Sequence, residues 1–420
     1  MGKLKLSRFA ESLIGSEIVR LGATIKEKIR SGQQIFNYTI GDFDPSQFPI
    51  PAELEEEIIQ AYRAKHTAYP AAEGELDLRR SIAAFLNQYL KLDFNEKEIL
   101  VAAGGRPLIY AAYKTIVDPG DRVIYPVPSW NNNHYVNFNQ GEHVVIEASR
   151  ESNFMPTAEQ IKPHIKGAAM IAVCSPLNPT GTTFRKEDLE EICDLIIEEN
   201  NTRSESEKKL YLLYDQIYWT LCYGDTVHYN PVSLRPQMRA YTIFIDGISK
   251  AFAATGVRVG WAMAPEEIIV KMRSLNSHVG SWAPMAEQKA VAKFLKQTTA
   301  VEKFFTHFKK EVSLRLDAIH TVFQELKKKG YPVDSIEPQA AIYLTVQIDL
   351  KGKKTDSGIL DSQEAVTDYI LNEARLAIVP FYAFGASHQS NWYRLSVGCC
   401  KTEDIKVIAE NLESAIKKLN

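Results

Sequence analysis

Between Pro51 and Gly260 the chain alternates between amphipathic segments and short apolar runs, and this alternation constrains the fold more than any other feature. Segments such as Ala52–Lys65 and Leu76–Leu90 carry apolar residues at helical spacing. The short apolar runs are Ile99–Ala102, Val123–Tyr125, His143–Ile146, Met170–Val173, Leu210–Tyr214 and Thr242–Ile245. Strands alternating with helical patterns point to an α/β unit with a mainly parallel sheet covered by helices. A polar stretch, Glu198 to Lys209, interrupts the pattern and is expected to be a solvated loop or a frayed helix end.

After Trp282 the texture changes. Ala286–Lys296 is helical in pattern, and Val301–Lys329 is a long amphipathic stretch ending at Gly330, where a C-cap fits. Strand-like runs follow at Ile342–Ile348 and Leu376–Val379, with a helix near Glu364–Glu373, a strand at Trp392–Val397 and a last helix from Glu403. This is a smaller α+β unit, distinct from the first.

The 420 residues suffice for a large core plus a second domain. A net charge of −3 with no long basic run argues against nucleic acid as a partner. No apolar stretch reaches the roughly 18 residues of a membrane span. The N-terminus lacks the continuous apolar region of a signal peptide. Five cysteines, an odd number without metal-ligand spacing to histidines, suggest neither a disulfide framework nor a metal site. The expected location is the cytoplasm.

Polar groups stand just past several apolar runs, where ligands bind in open α/β sheets. Tyr241 to Ile248 feeds into Ser249-Lys250, so Lys250 stands where a buried strand ends. A lysine there is either a surface residue or an amine in a partly dry pocket. Desolvation lowers the pKa of such an amine, leaving it able to form a Schiff base with an aldehyde. Arg258, between Val257 and Val259, needs an anionic partner, and phosphate suits its fork. An amine for an aldehyde and a guanidinium for a phosphate together describe pyridoxal phosphate, although two ordinary cations satisfy the same pattern. Cys174-Ser175-Pro176-Leu177-Asn178-Pro179-Thr180-Gly181 and Tyr214-Asp215-Gln216-Ile217-Tyr218 also follow apolar runs. Taken singly, the first reads as turn chemistry and the second as a helix cap. The ordered set Asn178, Asp215, Tyr218, Lys250, Arg258 is harder to reach by chance.

On these motifs, and on Tyr393-Arg394-Leu395-Ser396 near the end, the chain resembles the fold type I pyridoxal-phosphate enzymes from about Ser16 onward, and specifically the aspartate aminotransferase-like members of class I/II. The resemblance implies a pyridoxal 5'-phosphate domain at 46–290 and a discontinuous small domain at 1–45 and 291–420, joined by a helix near Ile14–Ile29. It implies that Lys250 holds the cofactor aldehyde and moves the substrate proton. Asp215 would keep the ring nitrogen protonated, and Asn178 and Tyr218 would meet the phenolic oxygen. Gly104, Gly105 and Arg258 would hold the phosphate, where glycines let backbone N–H groups approach an anion at a helix N-terminus. Ser249 would add a phosphate contact, although Gly247 stands where the best-known branch has a phosphate-binding serine. Trp130 would stack on the ring. Tyr69 would reach the phosphate of a neighbouring subunit, which implies a homodimer with shared active sites. Arg394 and the backbone at Gly41 would hold the substrate α-carboxylate.

Arg106 follows the Gly-Gly turn, where a second branch carries a lysine that reads a distal carboxylate. It either reads the distal carboxylate of aspartate, glutamate or their oxo-acids, or faces solvent or only supports the phosphate. The expected activity is amino-group transfer between an L-amino acid and a 2-oxo acid by a ping-pong mechanism, with aspartate or glutamate and 2-oxoglutarate as candidates. The alternatives are a carbon–sulfur β-lyase on the same scaffold and a non-catalytic cofactor-binding module.

Overall fold

The computed structural model describes residues 5–13, 15, 17–356 and 358–419. The alternating segment builds a seven-stranded sheet. Its strands are β1 (Ile99–Ala102), β2 (Arg122–Val127), β3 (Glu142–Glu147), β4 (Ala168–Cys174), β5 (Tyr211–Asp215), β6 (Thr242–Gly247) and β7 (Gly260–Met263), in the order β1-β7-β6-β5-β4-β2-β3. Only β7 runs against its neighbours, antiparallel to both β1 and β6. The link from β6 to β7 holds two short helical turns, Ile248–Ala251 and Thr255–Val257. It contains no helix long enough to carry the chain back across a sheet face, so the next strand returns beside the last.

Alternate strand residues enter two separate cores. Val101, Ile171, Val173, Leu212 and Phe244 face one side, and Leu100, Met170, Ala172, Leu213 and Ile243 face the other. A sheet buried on both faces explains why its strands read as continuous apolar runs. The first face is covered by helices that include α1 (Leu76–Leu90), α2 (Lys186–Thr202) and α3 (Met285–Phe294), the other by α4 (Glu266–Val279) and Gly105–Ile116.

A third core gathers the long helix Thr298–Lys328, the last helix Asp404–Lys417 and a four-stranded antiparallel sheet. That sheet consists of β8 (Val333–Ser335), β9 (Tyr343–Ile348), β10 (Val379–Pro380) and β11 (Trp392–Ser396), in the order β10-β11-β9-β8. The long helix closes where expected: Gly330 is left-handed at φ 87°, and Tyr331 N–H donates to the Leu326 carbonyl at 3.2 Å. Phe36, Tyr38, Phe43 and Phe48 from the N-terminal region belong to this core.

Three expectations need adjustment. The polar stretch 198–209 ends in the expected solvated loop, exposed at 204–208, but the helix end before it is anchored rather than frayed. Helix α2 runs through it to Thr202, buried Asn200 exchanges hydrogen bonds with the backbone of Leu210, and Arg203 reaches Glu199 and the Ala168 carbonyl. The run Leu376–Val379 is divided between two sheets. Leu376–Ala377 pairs parallel with Phe36–Asn37, while Val379–Pro380 becomes the edge of the antiparallel sheet, a position that tolerates a proline without an N–H. The N-terminal helix spans Glu17–Arg30, and Ile14 and Ser16 lie outside the described residues.

Candidate active site

The topology brings the separated motifs to one edge of the large sheet. Strands β1, β2, β4, β5 and β6 end there, followed by Gly104–Arg106, Trp130, Asn178, Asp215 with Tyr218, and Ser249 with Lys250. Because β7 is antiparallel, its start lies at the same edge, which delivers Arg258.

Glycines allow this edge to close. Gly104 has φ 87°, and a Cβ there would lie 2.2 Å from Arg258 Nη2. A Cβ on Gly260 would meet the backbone of Gly104 at 2.6 Å, and one on Gly247 would meet Gly260 Cα at 2.8 Å. The absence of a serine at Gly247 therefore has a packing reason: β6 and β7 touch there. The Arg258 guanidinium lies against Gly104, donating to the carbonyls of Ala103 at 2.8 Å and Thr255 at 2.6 Å. The helix that follows begins at Gly105, so its first N–H groups lack intrahelical partners and point toward the same place.

Lys250 Nζ donates to the Gly41 carbonyl at 2.6 Å and lies near the rings of Phe43 and Tyr218. Burial pulls its pKa down to about 8; Asp42 opposes the shift, and the charges of Arg394, Arg106 and Arg258 add to it. Asp215 ends β5 and accepts from the Ile217 N–H at 3.1 Å, and burial pushes it up to about 6. Ser249 is buried beside Lys250 at the start of the short helical turn. Asp42 Oδ1 accepts from Thr255 Oγ1 at 2.7 Å, tying the Gly41 segment to the segment that carries Arg258.

Arg394, on β11, is buried, and among the described residues no carboxylate pairs with it. It donates to Asn178 Oδ1 at 2.9 Å and to the Thr39 carbonyl at 2.6 Å, and its Nε has no partner. A Cβ on Gly41 would lie 3.5 Å from its Nη1. Arg106 lies 5.3 Å from the centre of the Trp130 ring and forms no salt bridge among the described residues. Trp130 also neighbours Phe384. Tyr69 is set apart from this group: it is 86 % exposed, with its ring edge toward Trp282.

Residues 34–412 match the family model for aminotransferase class I and II. The chain belongs to this family. Aspartate aminotransferase from Bacillus sp. (strain YM-2) is 29% identical over 91% of the chain and 92% of its own length. A probable aspartate/prephenate aminotransferase from Aquifex aeolicus is 27% identical over 88% and 89%. The crystal structure of the aspartate aminotransferase from Rhizobium meliloti superposes with a TM-score of 0.90 at 25% identity, covering both chains fully. The Thermus thermophilus enzyme with maleate superposes at 0.85 and 27%, over 98% of this chain and 100% of that one.

The chain is thus a fold type I, pyridoxal-phosphate-dependent aminotransferase. Its own residues suit that cofactor. Gly104 leaves a cradle that a Cβ would fill, Arg258 supplies a cation there, Asp215 is a buried carboxyl, and Lys250 is an amine of lowered pKa. Sequence reasoning missed Asp42, Thr255, Tyr343 and Asp246. Buried Asp246 accepts from the Trp219 indole at 2.9 Å and from Gln216 at 3.4 Å, tying the turn that carries Tyr218 to β6. Its one visible signal was a charge inside an apolar run.

Proposed function

We propose that this aminotransferase exchanges the amino group between a dicarboxylic L-amino acid, aspartate or glutamate, and 2-oxoglutarate in two alternating half-reactions. The observation that carries this reading is the pair Arg394 and Arg106. Neither guanidinium has a carboxylate partner among the described residues, and both act electrostatically on the Lys250 amine. Arg394 is buried without a counter-ion and Arg106 is exposed without one, so a ligand that brings two carboxylates can pair with both.

Bound pyridoxal phosphate supplies an aldehyde and an electron-withdrawing ring that can hold the amino group between half-reactions. In this reading Gly104, Gly105, Arg258 and Ser249 hold the phosphate, and Trp130 covers the ring face. Asp215, once ionised, keeps a proton on the ring nitrogen. Tyr218 and Asn178 meet the phenolic oxygen. Arg394, with the Gly41 backbone, clamps the substrate α-carboxylate, and Lys250 carries the proton away from the α-carbon.

The same reading makes the chain a homodimer with large domains at 46–290, each Tyr69 completing the phosphate site of the other subunit; the exposure of Tyr69 supports this. It also places the protein in the cytoplasm, in keeping with five free cysteines. No described helix is long and apolar enough to cross a membrane.

Arg106→Ala tests the substrate assignment. The kcat/KM for aspartate should fall by roughly fivefold, the cost of about 1 kcal/mol for a charge pair at an exposed guanidinium, while that for alanine changes little. An equal fall for both substrates would reduce Arg106 to a support for the phosphate.

A further inference from the structure

Tyr343 opens β9 and is 1 % exposed. Its hydroxyl lies 2.6 Å from the hydroxyl of Tyr218, with the rings edge to face at 5.5 Å. The Arg394 guanidinium carbon lies 4.8 Å from the centre of the Tyr343 ring. Gly41 packs so closely that a Cβ on it would lie 2.7 Å from the Tyr343 hydroxyl. The Tyr343 carbonyl fills the space a Cβ on Gly181 would need, so the same residue also fixes the loop that carries Asn178.

The shared hydrogen bond contains two hydroxyl protons and one donor role. Arg394 has only donors and cannot accept from either phenol. One tyrosine must therefore donate to the other, which frees the acceptor's own proton for a different oxygen. Burial pushes both phenols up, and the Arg394 charge opposes that push more directly in Tyr343, which sits against it. The more acidic hydroxyl is the better donor, so Tyr343 donates and Tyr218 keeps a free proton.

We propose that Tyr343 is a positioning residue: its hydroxyl donates to Tyr218 and turns the Tyr218 proton into the site, while its ring seats the Arg394 guanidinium. This rests on the reading that Tyr218 meets the phenolic oxygen of the cofactor. A phenol that accepts a hydrogen bond becomes a stronger donor. Removing the Tyr343 hydroxyl therefore weakens what Tyr218 gives to that oxygen. A phenolic anion with weaker donors holds a nearby proton more tightly, so the pH midpoint of the bound cofactor's visible absorbance must rise.

The test is a spectrophotometric pH titration of holoenzyme in four forms: wild type, Tyr343→Phe, Tyr218→Phe and the double variant. Tyr343→Phe should raise the midpoint by about half a unit to one unit, the size of one net hydrogen bond. Tyr218→Phe should raise it further, and adding Tyr343→Phe to Tyr218→Phe should add nothing. A shift of equal size in both backgrounds, or no shift in Tyr343→Phe alone, overturns the inference. An unshifted Tyr218→Phe overturns the Tyr218 assignment and this inference with it. The ring has its own readout: Tyr343→Leu should raise the KM for the amino acid more than Tyr343→Phe does, and equal KM values would remove the seating role.

Discussion

Lys250 is an amine held among cations. Burial and three arginines lower its pKa from 10.5 to about 8, and Asp42 opposes them. The neutral, nucleophilic form therefore appears as pH rises through about 8, well below the range of an ordinary lysine. The rate at which apoprotein captures pyridoxal phosphate should climb with pH and level off above that midpoint. A rate that keeps climbing through pH 10 would place Lys250 in water. At this scale the sequence was informative where chemistry depends on a strand end. Lys250, Asp215, Asn178 and Arg258 all follow or precede apolar runs, and they meet at one sheet edge. Tyr343, Asp42 and Thr255 were not legible, because nothing local distinguishes a tyrosine in a strand or an Asp–Thr contact across 213 positions. Their roles arise from what packs against them.

At the scale of elements, the proposed phosphate cradle depends on close packing of three glycines. Gly104→Ala places a Cβ 2.2 Å from the Arg258 guanidinium at a backbone conformation of φ 87°. Strain of about 1–3 kcal/mol is expected, and because Arg258 must move, cofactor affinity should fall roughly tenfold or more. Titration of apoprotein with pyridoxal phosphate checks this, and an unchanged dissociation constant would show that the cradle is elsewhere. Periodicity located most elements within a few residues, including Leu76–Leu90, because buried strands and amphipathic helices announce themselves in hydrophobic spacing. It failed where tertiary contacts decide. Asn200 and Arg203 turn a polar stretch into an anchored helix end, and Leu376–Val379 serves two sheets because its two halves meet different partners.

At the scale of the whole molecule, topology does what spacing along the chain cannot. Residues 178, 215, 250 and 258 converge because their strands run parallel and β7 turns back, while Arg394 reaches them from a different sheet with its own core. Gly41 meets Lys250, which follows the large sheet, and Asp42 fastens that segment to Thr255. The proposed site therefore lies where the large-sheet and small-sheet units meet, and there Lys250 is proposed to move the proton in amino-group transfer. The most direct measurement is amine transfer from aspartate to 2-oxoglutarate by wild type and by Lys250→Ala, each loaded with pyridoxal phosphate. Wild type should complete many cycles. The variant should still bind cofactor yet turn over at least about a hundredfold to ten-thousandfold more slowly, the range for loss of a positioned proton carrier. Sustained turnover by Lys250→Ala near the wild-type rate would contradict the assignment.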